Sequence, residues 1–416
     1  MNASLSNRFI TTIRPLASKL GGFAANSVIT GAAGVLTIPL VISLFGPETW
    51  GRYAIGQSVG LFSSVVVGFG WAVIGPSHIA GLDPSSRRAE FRVSVLVRLI
   101  LLLATSLLIA LLSALGTLPG GMVTVPIAIA YSATGLSSLW YFVGAGEPRP
   151  ALLRDALPRA LATLLAPLAG LLTNPLIGMG VLTLIGQLVS LILCARVILR
   201  KLPEVQDVQL SKSMVVDSLK IQRDGFASAV ISSAYLNLPV TFLGIINPSA
   251  VPVYALGDRV VKYASAAARP LTQVVQGWVP KARGTELNER IRRAVRIMFA
   301  VGVVACLTLV VLGSWIAEVL SRGQLELGLS ISCAMGISLG STLISQSSGL
   351  GCLGALGRYQ TIVRSAIIGA VSWAALFFLG VPFFGAAGAM WSVAIAEFLV
   401  VIWQIADIRR SIKGRG

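Results

Sequence analysis

Charge is scarce in this chain of 416 residues. Only 12% of its residues are charged and 55% are hydrophobic, whereas a typical soluble domain is about 25% charged. The chain contains sixteen acidic residues and a single histidine, His78, too few for most zinc sites, Ser-His-Asp triads or dense carboxylate clusters. The composition therefore argues against a soluble enzyme and against a bound metal.

Motifs for redox chemistry and nucleotide binding are missing as well. The cysteines lie in or beside apolar stretches without CxxC spacing, which favours small core residues: Cys194, Cys306, Cys333 and Cys352. Residues 349–354 match the string G-x-G-x-x-G, but they follow an apolar helix rather than a strand. No cofactor is expected.

Long apolar stretches make up most of the sequence. A membrane-spanning helix needs about 20 apolar residues, and twelve such stretches predict an all-α polytopic membrane protein. They cover residues 20–45, 53–75, 94–115, 121–143, 151–172, 175–197, 224–246, 251–279, 295–317, 327–349, 361–379 and 384–405. Residues 1–19 are basic, with apolar side chains at helical spacing. They predict an amphipathic helix on the membrane surface rather than a cleaved signal peptide.

The basic residues orient these spans. Lysine and arginine number 33 against 16 acidic residues, a net charge of +17, and 25 of the 33 lie in the termini and every second connection or at the adjoining helix ends. Cytoplasmic segments carry such an excess, so both termini are expected in the cytoplasm. On the opposite side the connections are short, and their only basic residues are Arg52 and Arg322.

The second half of the chain resembles the first. Residues 46–56 align with residues 247–257, and residues 22–24 match residues 225–227. Six spans per half make the two copies run in the same direction, and transporters of this plan place the substrate path between the halves. The expected domains are two six-helix bundles around a central cavity, at 20–198 and 224–407. A cytoplasmic linker at 199–223 joins them, and a basic tail at 408–416 follows.

The eighth stretch carries charge deep in the membrane, where an ionisable group is costly and functional by default. Six of its polar side chains share a face about 100° wide: Asp258, Arg259, Lys262, Arg269, Gln273 and Gln276. Asp258 can neutralise only one of the three cations. This face therefore predicts a positively charged wall suited to a phosphate-bearing ligand.

Four other deep or interfacial groups are weaker candidates. Arg159 lies about two turns into the fifth stretch, and Arg52 lies in the first exterior connection. Tyr53 and Gln57 share a face of small and polar residues, which suits a polar cavity or close packing between helices. Two further basic residues, Arg98 and Arg364, lie near cytoplasmic helix ends, from which they can snorkel to the surface.

Two carboxylates are candidates for ion coupling. Glu397 lies deep in the twelfth stretch, and Asp224 opens the seventh. A buried carboxylate of this kind, like Asp258, either couples transport to a proton or ion or balances the charge of a neighbouring cation. The sequence leaves both roles open.

Several of these features resemble one known family. They are the start of the first span at 22–27 (Gly-Phe-Ala-Ala-Asn-Ser), the exterior turn at 44–53 (Leu-Phe-Gly-Pro-Glu-Thr-Trp-Gly-Arg-Tyr), the six-plus-six repeat and the Gly-rich turn before Arg358. Together they resemble the O-antigen and polysaccharide flippases of the multidrug/oligosaccharidyl-lipid/polysaccharide exporter superfamily. The resemblance covers essentially the whole chain.

The resemblance implies a multi-pass protein of the bacterial inner membrane that flips an undecaprenyl-pyrophosphate-linked oligosaccharide by alternating access. Its partners would be the membrane lipid, that ligand, and a polysaccharide polymerase with glycosyltransferases; nucleic acid is not expected. Cavity cations that meet the pyrophosphate would correspond here to Arg259, Lys262 and Arg269, with Arg159 and Arg52 as additions.

Three alternatives stay open. A drug and cation antiporter of the same superfamily would place acids in its cavity, whereas deep cations outnumber deep acids here. A membrane-embedded polymerase or glycosyltransferase would need a sizeable exterior loop or an acid pair, so an enzyme is not expected. A scaffold for glycan assembly would not transport at all.

Overall fold

The computed structural model describes residues 2–202 and 212–413, with side chains from residue 22 onward except 228, 231, 232, 235 and 413. The predicted amphipathic face of residues 1–19, residues 203–211 of the predicted linker and residues 414–416 of the tail lie outside this description. Within the described residues every regular element is helical. The coarse prediction of an all-helical protein is therefore confirmed.

Thirteen α-helices follow one another in the described residues. Their bounds are α1 Asn2–Gly68, α2 Gly75–Gly81, α3 Pro84–Ala114, α4 Val125–Ser132, α5 Leu139–Ala145, α6 Pro148–Pro150, α7 Leu157–Gly170, α8 Pro175–Lys201, α9 Lys212–Ile246, α10 Val251–Trp278, α11 Gly284–Ser321, α12 Leu329–Gln346 and α13 Tyr359–Lys413. Two π-helical turns, Ala151–Ala156 and Ser347–Leu353, precede α7 and follow α12.

Seven helical stretches in the described residues are long and apolar enough to cross a membrane. Two of them contain a glycine with non-helical backbone, Gly46 (φ 81°) in α1 and Gly385 (φ 51°) in α13. Positive φ is readily adopted only by glycine, so each of these long helices is two helices joined at a kink. The structure thus supports a multi-pass membrane protein.

Three helices begin well before the apolar stretches that predicted them. α3 begins at Pro84 rather than 94, α9 at Lys212 rather than 224, and α11 at Gly284 rather than 295. Hydropathy marks where a helix enters lipid, whereas a helix ends where its backbone hydrogen bonds end. Residues 212–223 of the predicted linker are therefore helical, and Asp224 lies inside α9 rather than at its start.

The start of α3 has a clear local cause. The Asp83 carboxylate accepts hydrogen bonds from the backbone N–H groups of Ser85 (3.1 Å) and Ser86 (3.2 Å), and Pro84 fills the first helical position. Together with a hydrogen bond from the Ser85 hydroxyl, which is the largest cause, these backbone hydrogen bonds hold the pKa of Asp83 well below its ordinary value. They cap the helix on a segment that precedes the apolar stretch.

The chain forms two compact units. Unit 1 comprises Met1–Phe45 and Arg52–Thr241, and unit 2 comprises Gly46–Gly51 and Phe242–Gly416. Most of α9 belongs to unit 1 because it packs there: Phe226 stacks on Phe69 with ring centroids 4.6 Å apart. The boundary between the two units thus falls after residue 241. The prediction based on the internal repeat divides the chain earlier, at the linker 199–223.

Each unit has its own packing. In unit 1, large aromatic residues form the core around Trp71 and Trp140. In unit 2, α11 and α12 approach closely through glycines; a Cβ atom on Gly340 would lie 2.6 Å from the Gly302 carbonyl oxygen. Small residues are what lets membrane helices pack backbone to backbone.

Candidate ligand-binding site

Helix α10 carries the predicted cationic face within unit 2. The helix has 28 residues, a length of about 42 Å at 1.5 Å per residue. Gly257 faces α12 and α13, since a Cβ atom there would lie 2.8 Å from Met390 Cε and 3.2 Å from Met335 Sδ. Helix α10 packs against α12 and α13, and the charged residues follow this glycine directly.

Three of the six predicted polar residues come together in one helical turn. Lys262 Nζ donates a hydrogen bond to Asp258 Oδ2 (2.8 Å), and Arg259 Nη1 lies 4.0 Å from the same oxygen. We call Asp258, Arg259 and Lys262 the α10 cluster. One carboxylate is shared by two cations, so the cluster keeps a formal charge of +1.

The Arg259 guanidinium is buried but not satisfied. The residue is 6% exposed, and its Nε has no hydrogen-bond partner among the described residues. Asp258 is the only described carboxylate within 4.0 Å of it. A buried donor without a partner costs about 1–3 kcal/mol, more when it is charged, so an anion bound here would recover that free energy.

The remaining predicted residues of α10 lie apart from the cluster. Arg269 is seven residues beyond Lys262, about 10 Å along the helix, and its side chain is exposed. No described carboxylate lies within 4.0 Å of Arg269. Gln273 is exposed and Gln276 is half-buried. Helix α10 therefore has one tight cluster of charged residues and, about two turns further along, a more exposed polar face.

The candidate residues of the second span lie inside unit 1. Tyr53 is buried, with its hydroxyl 2.6 Å from that of Tyr131. Gln57 is also buried, whereas Arg52 is exposed. A Cβ atom on Gly60 would lie 2.4 Å from the Ala128 carbonyl oxygen. Of the two interpretations of this face, the contacts favour close helix packing.

Arg159 belongs to a second buried charge cluster, in unit 1. Its Nε donates to the Asp155 backbone oxygen (2.8 Å), and its Nη2 donates to the Asp155 carboxylate. The same fully buried carboxylate accepts hydrogen bonds from Ser137 Oγ and from the Ser138 backbone N–H (3.0 Å). Two of the three guanidinium nitrogens of Arg159 are thus already engaged, which argues against a ligand-binding role.

Arg98 completes this second cluster, and the prediction that it snorkels to the surface is wrong. It is 1% exposed, and its guanidinium carbon lies 6.0 Å and 5.6 Å from the ring centroids of Trp71 and Trp140. Its Nη1 donates to the carbonyl oxygens of Gly135 (3.2 Å) and Ser137 (2.8 Å). We call Arg98, Asp155 and Arg159 the Asp155 cluster.

The Asp155 cluster holds a broken membrane helix. The predicted span 121–143 is interrupted: α4 ends at Ser132, a 3₁₀ turn covers Ala133–Leu136, and α5 begins at Leu139. Arg98 satisfies carbonyl groups that the break releases, and Asp155 caps the new helix start at the Ser138 N–H. Irregular backbone at membrane depth requires such partners, so these charges have a structural task.

The two candidate coupling acids lie in different environments. Glu397 is half-buried on α13. The Asp224 side chain is 85% exposed on α9, with its carboxylate 3.3 Å from Arg223 Nε. Neither position tests a coupling role.

Glu90 is a buried carboxylate that sequence reasoning missed. It accepts hydrogen bonds from Trp71 Nε1 (2.8 Å) and Ser218 Oγ (2.6 Å), and it lies 4.0 Å from His78 Nε2. A cavity of about 350 Å³ lies beside it. Glu90 falls in a predicted cytoplasmic connection, where an acid is normally solvated, so only the early start of α3 could have indicated its burial.

Comparisons with known proteins show the fold. No family model and no curated protein matches the chain. A structure described as the lipid II flippase MurJ in an inward closed conformation is similar with a TM-score of 0.74 and 14% identity, over 94% of this chain and 89% of that one.

Multidrug transporter structures match as well. A variant of the Vibrio cholerae MATE transporter VcmN has a TM-score of 0.56 and 15% identity, with 96% of both chains covered. A further structure, an inward-facing multidrug resistance MATE family transporter of the MOP superfamily, has a TM-score of 0.53 and 15% identity, with 95% of both chains covered. The chain therefore has the fold of MOP-superfamily membrane transporters.

Proposed function

We propose that this chain flips an undecaprenyl-pyrophosphate-linked oligosaccharide across the bacterial inner membrane by alternating access, for the synthesis of a surface polysaccharide. The α10 cluster is the observation on which the proposal depends. It places two cations and one carboxylate near the middle of a membrane helix, with a buried guanidinium N–H that lacks a partner in the part of the chain that the structure describes.

An anionic ligand fits this cluster better than a cationic one. Arg259 begins about 12 Å from the outer end of α10, and Lys262 lies one turn deeper, within the hydrocarbon core of a bilayer about 30 Å thick. There a net positive charge is costly unless an anion accompanies it. A pyrophosphate supplies two negative phosphates and several acceptor oxygens for Arg259 and Lys262.

The fold supports a lipid-linked ligand. One similar structure is named as a lipid II flippase, a protein that moves a lipid-linked molecule. We assign pyrophosphate binding to Arg259 and Lys262 and contacts with the rest of the head group to Arg269, Gln273 and Gln276. Arg52, Tyr53 and Gln57 are secondary in this scheme. Asp258 balances charge within the cluster, and Glu397 and Asp224 are candidates for coupling.

Twelve spans with both termini in the cytoplasm are part of the proposal. Counting each kinked helix, α1 and α13, as two spans raises the seven apolar stretches to nine. α9, α10 and α7 with its preceding π-helical turn supply three more. The spans would form two six-helix repeats, with a polymerase and glycosyltransferases as functional partners.

Reconstitution tests the function. The full-length protein is placed in liposomes that contain a fluorescent undecaprenyl-pyrophosphate oligosaccharide, and the fraction that a membrane-impermeant quencher reaches is followed over time. We expect flipping by the natural protein and a rate at least tenfold lower for Arg259→Gln and Lys262→Gln, since a charge-assisted hydrogen bond is worth about 1.5–3 kcal/mol.

Arg364→Gln is the matched control, because this arginine is exposed on α13 of the same unit. It should flip the lipid at the natural rate. Wild-type rates for both α10 variants, in protein of unchanged melting temperature, would contradict the assignment.

A cation antiporter is the second candidate, favoured by the similarity to the MATE transporters. An acidic binding site would suit cationic drugs, whereas the α10 cluster is positive. Proton-driven accumulation of a cationic dye in the same liposomes, without lipid flipping, would establish the antiporter instead.

A further inference from the structure

A groove in unit 2 has the composition of a lipid site. It lies between the first turns of α11 and the last turns of α13 and has a volume of about 280 Å³. The buried side chains of Ile291, Ile408 and Ile412 form its floor. Arg292, Arg296 and Arg409 line it and are exposed. We call it the arginine groove.

The three arginines of the groove lack carboxylate partners. Within the described residues, no Asp or Glu oxygen lies within 4.0 Å of their guanidinium groups, although two neighbouring arginines of the same unit are paired. Arg290 is paired with Glu286, and Arg358 with Asp407. The groove therefore concentrates uncompensated positive charge on an apolar floor.

The position of the groove matches the boundary between lipid and water. On α11 the exposed side chains that follow Arg296 are apolar from Ile297 to Leu307. On α13 the exposed residues before Arg409 include Ile402 and Trp403. Tryptophan and basic residues are enriched at this boundary. Both helices change from an apolar to a basic surface at the level of the groove.

We propose that the arginine groove binds an anionic phospholipid of the cytoplasmic leaflet. The lipid phosphate would accept hydrogen bonds from Arg292, Arg296 and Arg409, since a guanidinium can donate two parallel bonds to a phosphate. An acyl chain would pack on Ile408 and Ile412. Basic pockets between membrane helices on the cytoplasmic side bind anionic head groups in this way. The inference is independent of the transported substrate.

Native mass spectrometry of the delipidated full chain tests the proposal, with phosphatidylglycerol as the anionic probe and phosphatidylcholine as the neutral one. We expect phosphatidylglycerol to bind and the triple variant Arg292→Gln, Arg296→Gln, Arg409→Gln to weaken its binding at least tenfold. Phosphatidylcholine should bind weakly to both proteins.

Three other exposed arginines at the same helix ends give a charge-matched control. The variant Arg283→Gln, Arg293→Gln, Arg410→Gln removes equal charge outside the groove, and it should bind phosphatidylglycerol within about twofold of the natural protein. An equal loss in both triple variants would overturn the proposal in favour of diffuse attraction.

Two further measurements separate the remaining explanations. Displacement of phosphatidylglycerol by millimolar inorganic phosphate would overturn the lipid assignment, because it would mean that the apolar floor contributes nothing. Should the groove triple variant have a lowered melting temperature, the single variant Arg409→Gln is used. A binding loss of about threefold would then support the proposal, and unchanged binding would overturn it.

Discussion

The described residues of each unit include a buried charge cluster of the same composition, two cations and one carboxylate, yet the two clusters differ in how their hydrogen-bonding groups are used. In the Asp155 cluster of unit 1, Arg98 donates to backbone oxygens, Arg159 donates to a backbone oxygen and to the Asp155 carboxylate, and Asp155 accepts from serine and backbone donors. In the α10 cluster of unit 2, Lys262 donates to Asp258, and Arg259 Nε has no partner among the described residues.

The difference shows what separates a structural cluster from a ligand-binding one. It is the fraction of hydrogen-bond donors that already have partners in the protein, rather than the depth of the cluster in the membrane or its charge. Guanidinium groups that are fully engaged by the protein have no donor left for a ligand and fix the local backbone. A buried guanidinium with an idle donor leaves free energy that an anion can recover. On this criterion Arg259 is the stronger candidate for a ligand contact, and Arg159, with two of its three guanidinium nitrogens engaged, is the weaker one.

The largest effect should come from removing the carboxylate of the saturated cluster. Asp155→Ala leaves Arg159 without its partner and the start of α5 without its cap, so we expect a loss of about 3–5 kcal/mol of stability. In detergent this should appear as little folded protein on fluorescence-detected gel filtration. Normal yield and melting temperature for Asp155→Ala would remove the structural half of the comparison.

A conservative exchange at the two buried arginines should sharpen the comparison. Arg98→Lys keeps the charge but cannot reach several carbonyl oxygens at once, so it should cost about 2 kcal/mol of stability. Arg259→Lys gives up no hydrogen bond to the described residues and should change the stability by less than about 0.5 kcal/mol. Thermal unfolding of both variants in the same detergent measures this contrast, and equal losses would break it.

A smaller loss of stability than for Arg98→Lys is expected for a side chain at the rim of the Asp155 cluster. Ser190 Oγ donates to the backbone oxygen of Asp155 (3.1 Å), so Ser190→Ala should lower the stability by about 1 kcal/mol. Ser392→Ala is the control, because Ser392 is equally buried but bonds only the carbonyl of Ala389 in its own helix. Equal melting temperatures for Ser190→Ala and the control would contradict the predicted contribution of the Ser190 hydrogen bond to stability.

The polar face of α10 could be predicted because helical periodicity alone puts Asp258, Arg259 and Lys262 on one side. The burial of Arg98 could not be predicted in the same way. Its partners are the carbonyl groups of residues 135 and 137, which lose their helical hydrogen bonds at a break in a neighbouring helix. No local sequence pattern predicted that break. Glu90 was missed for a related reason, because its partner Ser218 is 128 residues away.

The sequence by itself determined the class of this protein: a strongly hydrophobic helical chain whose basic residues are concentrated at the ends of apolar stretches. Apolar length and helical period are local properties, so they survive without knowledge of the fold. The tertiary structure decided which buried charges are satisfied, where helices begin beyond the lipid, and that most of α9 packs in unit 1. Those outcomes depend on contacts between residues far apart in the chain, and such contacts decide which guanidinium is left with a donor for a ligand.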